Sequence, residues 1–238
     1  MNKKHFFISS FIVISILSII SFGLNMFFLS TKPLSASGIF YLCKNSVVEL
    51  RAQSDEIGTS FGTAEIITND GILITNAHVI TYKKLETYFT FDDVSIRFSD
   101  EQDYRQIDII KFDMNLDLAV LKLKDIDREF SAIKLGNSEK IKTGEDIYAL
   151  GNMSNYGLSL TSGTVSIPSV DVKYGEKTRN VIQCDVTISE GNSGGALLNN
   201  KGELLGITTF RLKDLSNNII YGISYCIPIN TVMEYINK

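Results

Sequence analysis

Residues 60–80 read SFGTAEIITNDGILITNAHVI. Two β-rich runs, Ser60–Thr68 and Gly71–Thr75, flank Asn69-Asp70-Gly71. An Asn-Asp-Gly step of this kind supplies the positive backbone angles of a tight hairpin turn, so the stretch predicts two antiparallel strands. The second strand runs directly into Asn76-Ala77-His78. Working outward, the same pattern of short strands bounded by turn residues recurs along most of the chain. It predicts Ser46–Arg51, Val94–Ser99, Gln106–Phe112 and Leu118–Lys124 as the other strands of the first half.

The second half repeats the arrangement. Strands are predicted at Asp146–Gly151, Leu158–Ile167, Asn180–Asp185, Gly195–Asn199, Leu204–Arg211 and Tyr221–Ile227, with Asn199-Asn200-Lys201-Gly202 as a matching turn. Six strands, a connector near 135–144 and six more strands describe an all-β fold of two six-stranded antiparallel barrels. Closure removes exposed sheet edges, and a chain of this size can bury a large core. The expected boundaries are 46–135 for the first barrel, 145–228 for the second and 230–237 for a terminal helix capped by Asn230.

Ahead of the barrels, residues 6–29 carry no charge. As a helix they would span about 36 Å, enough for a hydrocarbon core of about 30 Å. That length favours an uncleaved transmembrane anchor over a secretory signal, whose apolar region is roughly 7–15 residues, or a buried core helix. Ser35-Ala36-Ser37 keeps a cleaved, secreted form open. Lys3 and Lys4 put the N-terminus in the cytoplasm and the rest of the single-pass chain outside it. Residues 1–30 are thus read as stub and anchor, and 31–45 as a linker.

Composition narrows the chemistry. The chain has 238 residues, 44% of them hydrophobic and 21% charged, which excludes disorder. From residue 39 onward 27 acids outweigh 20 Lys and Arg, an imbalance that argues against a nucleic-acid partner. Three Cys are too few for a disulfide scaffold. Cys184 and Cys226 are read as free core thiols or a disulfide pair, with in-sheet geometry favouring the thiols. The dispersed carboxylates show no metal-ligand spacing, so no metal or other cofactor is expected. Of two histidines, His5 lies in the basic stub, which leaves His78 alone in the body of the protein.

Three segments carry chemistry: Thr75-Asn76-Ala77-His78, Asn115-Leu116-Asp117-Leu118 and Glu190-Gly191-Asn192-Ser193-Gly194-Gly195. Each alone has a plain structural reading, as a histidine after a strand, an acid at a strand start and a flexible turn. Together they supply what peptide hydrolysis needs. A serine hydroxyl needs a base to take its proton, histidine titrates in the right range, and a carboxylate sets the histidine tautomer. Gly-rich backbone can aim N–H groups at an oxyanion. The candidates are Ser193 as nucleophile, His78 as base and Asp117 as orienting acid, with Gly191, Asn192 and Ser193 forming the oxyanion loop. The chain order His, Asp, Ser is that of chymotrypsin-type enzymes.

From about Ser46 to Asn230 the chain resembles the HtrA/Deg-type trypsin-fold serine proteases. The segments that carry the likeness are GILITNAHVI, DLAVLKL, GNMSNYGLSLTSGTVS, IQCDVTISEGNSGGALLNNKGELLGITT and YGISYCIPINTV. The resemblance implies a two-barrel endopeptidase acting through an acyl-enzyme on protein or peptide substrates. It matches His78, Asp117 and Ser193 to the family triad and suggests trimers. It differs where Glu190 precedes the oxyanion glycine and where Met153 follows Asn152. The family usually continues into a peptide-binding PDZ domain. The chain stops at Lys238, so none is expected, and PDZ regulation is absent or comes from another chain.

By the same likeness Thr187 lies near the base of the primary specificity pocket with Ile188 beside it. A neutral Thr187 implies cleavage after small or medium apolar residues. Thr208, Thr209 and Phe210 are expected to pair with substrate backbone as an added strand. Asn192 replaces the Asp that pairs with a new N-terminus in many secreted relatives, so control by ordering of the Gly191 loop is expected instead. The leading reading is a membrane-anchored extracytoplasmic endopeptidase in envelope protein quality control or processing. The alternative is a non-catalytic or chaperone-like peptide-binding module on the same fold.

Overall fold

The computed structural model describes residues 15–22, 33–124, 130–174, 177–213 and 219–238. It has two units, residues 1–34 and 35–238. In the first, residues 15–22 are helical and contain only Ile, Leu, Phe and Ser. Among the described residues no helix is long and apolar enough to cross a membrane. The expected anchor at 6–29 falls largely outside the described residues.

The second unit carries two closed antiparallel barrels of six strands each. Barrel 1 comprises β1 (Val47–Ser54), β2 (Gly58–Ile66), β3 (Ile72–Thr75), β6 (Asp93–Arg97), β7 (Arg105–Asp113) and β8 (Leu118–Leu123), in the order β1-β2-β3-β8-β7-β6. Barrel 2 comprises β9 (Asp146–Gly151), β10 (Ser159–Tyr174), β11 (Lys177–Cys184), β12 (Ala196–Asn199), β13 (Leu204–Lys213) and β14 (Ile219–Pro228), in the order β10-β11-β14-β13-β12-β9. The turn at Asn69-Asp70-Gly71 joins β2 to β3, with Gly71 at φ +86°.

Alternation along β2 decides what faces what. Ala64 and Ile66 enter the core of barrel 1 with Leu50, Leu73, Ile96 and Leu121. Thr63, Glu65 and Ile67 point the other way, towards barrel 2. A second apolar cluster fills this seam, taking Val47, Ile67, Ile74 and Leu118 from barrel 1 and Leu150, Leu198, Leu204 and Ile207 from barrel 2. Burial of apolar surface therefore holds the barrels together as well as each barrel by itself.

Several boundaries differ from the sequence reading. The segment 31–45 contains the helix Ala36–Cys43, capped by the Ser35 side chain on Gly38 N–H. Its Ile39 and Cys43 are buried in the seam cluster, which explains why the segment is ordered there instead of serving as a free linker. The C-terminal helix is Ile229–Ile236 and begins after Pro228, not after Asn230. The Asn230 carboxamide instead accepts from the backbone N–H and hydroxyl of Ser138, tying the helix to the inter-barrel connector. Strands β10 and β11 extend well beyond the expected ends, and the pairing shifts register on either side of Ile167, next to Pro168, which has no N–H to donate. A two-stranded hairpin outside both barrels, β4 (Thr81–Lys84) with β5 (Thr87–Thr90), was not anticipated.

Cys184 and Cys226 are free, with Sγ atoms 3.8 Å apart on neighbouring strands. That separation is far beyond a sulfur–sulfur bond of about 2.05 Å.

Candidate active site

His78 sits in a single helical turn, Ala77–Ile80, that follows β3. Ala77, Val79 and Ile80 are buried, and the latter two belong to the core of barrel 1. Packing three sides of the turn leaves the imidazole as the side chain projected out of the barrel. Its Nδ1 lies 2.9 Å from Asp117 Oδ2 and 3.0 Å from Oδ1, and the His78 backbone N–H donates to Oδ1 at 3.0 Å.

Asp117 closes the turn between β7 and β8 and adopts φ +60°, the left-handed region that Asp tolerates better than most residues. Asn76 holds it there by donating to the Asp117 carbonyl at 2.9 Å. The carboxylate is buried, and Thr209 Oγ1 donates to Oδ2 at 2.9 Å. Burial pushes the carboxyl up, but the nearby His78 charge, hydrogen bonds from His78 and the Arg179 guanidinium outweigh it and hold the group below the usual carboxylate range. An ionised carboxylate only accepts, so the shared proton resides on His78 Nδ1 and Nε2 is left as the acceptor.

Ser193 lies in the loop between β11 and β12. Its hydroxyl donates to the Thr209 carbonyl at 3.3 Å. His78, Ser193 and Gly191 line one cleft of about 710 Å3, together with Phe61, Tyr156 and Glu190. The structure therefore brings the expected triad members to one place, the first two from barrel 1 and the third from barrel 2.

The Gly-rich loop has a defined shape. Gly191 and Gly194 adopt φ +87° and +81°. A Cβ on Gly191 would meet the Asn152 carbonyl at 2.1 Å, and one on Gly194 would meet Thr75 Oγ1 at the same distance. Only glycine fits at either position. The Glu190 carbonyl accepts from Ser154 N–H at 2.7 Å. In a trans peptide the N–H points opposite the C=O, so this bond turns the Gly191 N–H away from Ser154. Asn192 is buried, and its backbone N–H donates to the Ser189 carbonyl, so that group shapes the loop.

Thr63 was not singled out by sequence, yet it braces this loop from the opposite barrel. Its hydroxyl donates to the Gly191 carbonyl at 2.8 Å and accepts from Asn152 N–H at 2.9 Å, while its own N–H donates to the Ser193 carbonyl at 2.9 Å. Arg179 was likewise missed. From β11 it places Nη1 3.5 Å from Asp117 Oδ2. No local motif marks either residue; only the out-facing position of Thr63 opposite the Ala64 and Ile66 core face was available as a signal.

The expected substrate-contacting residues divide. Ile188 is buried in the core of barrel 2, and Thr208 uses its N–H on Gly195, its carbonyl on Gly194 and its hydroxyl on Asn192. Ile188 is thus packed into the barrel from the loop after β11, and the Gly-rich loop consumes every polar group of Thr208. Thr187 is exposed and its carbonyl accepts from Thr161 Oγ1 at 3.2 Å. Thr209 supports Asp117, and the register shift between Thr208 and Phe210 sets it off the β13–β14 ladder. β12 pairs with β13 only as far as Ile207. Phe210 is half-buried against Tyr225, ring centroids 5.0 Å apart. Among the described residues no cluster of His, Cys, Asp and Glu is arranged to hold a metal.

Residues 62–207 match the family model described as a trypsin-like peptidase domain. Curated relatives include a probable periplasmic serine endoprotease DegP-like from Buchnera aphidicola subsp. Baizongia pistaciae, 36% identical over 69% of this chain and 33% of its own length. Another protein of that description, from Pseudomonas putida, is 34% identical over 75% of this chain and 35% of its own length. The chain thus spans about a third of the curated relatives that it matches. The solved structure of HtrA-type protease AlgW with tripeptide superposes with a TM-score of 0.73 at 30% identity, covering 85% of this chain and 62% of that one. With this match and the two-barrel architecture together, the chain belongs to the trypsin-like peptidase family, as an HtrA/Deg-type trypsin-fold serine protease.

Proposed function

We propose that the chain is an extracytoplasmic serine endopeptidase that hydrolyses protein substrates through Ser193, His78 and Asp117. The observation that carries this reading is the His78 imidazole, bonded at Nδ1 to a buried, ionised Asp117 and sharing one cleft with Ser193. In this reading the Ser193 hydroxyl leaves the Thr209 carbonyl and donates to Nε2 across the shared cleft. Attack then forms the Oγ–carbon bond while the hydroxyl proton passes to His78. The negative charge on the carbonyl oxygen meets the N–H groups of Gly191 and Ser193. His78 returns the proton to the departing amine, and water repeats the sequence on the acyl-enzyme.

Substrate recognition follows from the same surfaces. The β13 stretch Thr208 to Phe210, beyond its last pair with β12 at Ile207, is proposed to align an extended peptide as an added strand. Neutral Thr187 suits cleavage after small or medium apolar residues. The uncharged run at 6–29 is proposed as a single membrane anchor, with envelope protein quality control or processing as the role, in keeping with the periplasmic DegP-like relatives. Assembly into trimers is part of the same reading.

The test is labelling of the full chain by a fluorophosphonate probe alongside casein cleavage. Both should occur in the wild type and disappear in Ser193→Ala and His78→Ala, each of which should keep the wild-type circular dichroism spectrum. A folded wild type that neither labels nor cleaves casein refutes the hydrolase and leaves the peptide-binding module. Extraction of the full chain from membranes by alkaline carbonate would refute the anchor.

A further inference from the structure

Arg179 belongs to β11 of barrel 2, but its guanidinium reaches into barrel 1. Nε donates to the Asn115 carbonyl at 2.8 Å and Nη2 to the Met114 carbonyl at 2.9 Å, while Nη1 lies 3.5 Å from Asp117 Oδ2. The side chain is only 10% exposed. All three oxygens belong to one turn, Asp113 to Asp117. The other end of that turn is held by Asp113 Oδ1, which accepts from Asn115 N–H at 2.6 Å and Leu116 N–H at 3.1 Å. The turn delivers Asp117 at its left-handed φ of +60°.

We infer that Arg179 is a positioning residue for the proposed hydrolysis: its planar fork holds the turn that presents Asp117 to His78, so the second barrel sets the orientation of a catalytic pair built on the first. The inference rests on the function proposed above. A guanidinium presents several N–H donors in one rigid plane, which is what two carbonyls and a carboxylate on one turn require; an ammonium is a single point of charge. A buried charge of this kind costs free energy unless it is partnered, so its retention behind Asp117 calls for a role. Arg179 does not line the catalytic cleft. It borders a separate cavity of about 430 Å3 with Asn115, Leu116 and Lys177, so a shorter side chain there has room to be accommodated.

Two consequences separate positioning from mere scaffolding. Because Arg179 acts behind Asp117, its loss should lower kcat and leave KM unchanged. Because it acts through Asp117, that loss should largely vanish once the Asp117 carboxylate is removed. A substitution that keeps the charge but not the fork should lower the rate less.

The experiment uses the full chain, measuring fluorophosphonate labelling rates and fluorescent casein turnover from pH 5 to 9 for Arg179→Met, Arg179→Gln and Arg179→Lys. Arg179→Met and Arg179→Gln should label more slowly by at least about tenfold. That loss stays below the ~10⁴-fold cost of neutralising the orienting carboxylate itself in such triads. KM for casein should hold. Arg179→Lys, which keeps the charge without the fork, should be slowed less. In an Asp117→Asn background, Arg179→Met should add less than twofold, since a residue acting through Asp117 has little left to orient. If one variant fails to fold by circular dichroism, the other two carry the comparison. Wild-type rates in folded variants, a change confined to KM, or an equal loss in the Asp117→Asn background would overturn the inference. A wild type that fails to label would instead refute the hydrolase reading.

Discussion

Replacing Thr63 by Val keeps the shape of the side chain and removes its hydroxyl. That hydroxyl bridges the Gly191 carbonyl and the Asn152 N–H at 2.8 and 2.9 Å, and Thr63 has no exposed surface. A typical intramolecular hydrogen bond contributes about 1 kcal/mol net, and a buried polar group left unpaired costs about 1–3 kcal/mol. Two such groups are orphaned here, so a loss of about 2–6 kcal/mol is expected if the loop stays where it is. For a domain of this size about 1 kcal/mol corresponds to roughly 2–4 °C in Tm, which puts the fall at about 4–24 °C. The Gly191 peptide would then be free to turn, so the labelling rate should fall as well. Thr63→Ser keeps both hydrogen bonds and loses one methyl, and should retain most of both properties. The assay is thermal unfolding followed by circular dichroism together with fluorophosphonate labelling. A Thr63→Val protein with wild-type Tm and wild-type labelling would show that the hydroxyl does not brace the oxyanion loop.

Two more predictions concern buried polar groups. Glu65 is fully buried at the seam and neither carboxyl oxygen has a hydrogen-bond partner, and burial pushes its carboxyl well above the ordinary range. The folded state therefore keeps this proton after the unfolded chain has released it. Its contribution is whole below about pH 4.3 and declines by up to ~1.4 kcal/mol per pH unit above it, until the folded group itself ionises. Glu65→Met should thus gain Tm relative to the wild type as pH rises from 5 to 8; parallel Tm curves would exclude this. Asp117 works in the opposite window, its depressed carboxyl stabilising the fold above about pH 3.9 and ceasing to do so as pH falls through its folded value. Thr209→Val removes the hydroxyl that holds Asp117 Oδ2 and should lower kcat about 10- to 150-fold, the worth of one hydrogen bond to a charged group, with KM unchanged. A change confined to KM would place Thr209 in substrate binding instead.

Most of the fold was legible because each strand carries its own pattern. The alternation along Ser60–Thr68 and the Asn69-Asp70-Gly71 turn locate β2 and β3 without any knowledge of their partners. The β4–β5 hairpin was not legible, because its turn is made by Leu85 and Glu86 at φ +47° and +65°, residues that carry no turn signal. The helix Ala36–Cys43 falls within an expected linker because Lys32, Pro33, Ser35, Ala36 and Ser37 at the start of the segment read as one, and its order comes from Ile39 and Cys43 entering a seam made elsewhere. The family likeness puts Ile188 at the substrate, beside Thr187, and Thr208 is expected there as part of an added strand. Their actual directions depend on which face of the loop and strand is covered.

The sequence by itself determined the strand content, the three chemistry-bearing segments and the uniqueness of His78, because these depend on local pattern and residue type. Tertiary structure decided what surrounds those residues. The Thr63 hydroxyl reaches Gly191 across 128 positions in sequence, Thr209 reaches Asp117 across 92, and Arg179 reaches Asn115 across 64. Local sequence cannot encode such pairings, since a hydrogen bond or ion pair requires atoms to be within a few ångströms and only docking of the two barrels places them there. The same docking turns a histidine, an aspartate and a serine into one site, because it is the burial of the seam that fixes the second barrel against the first.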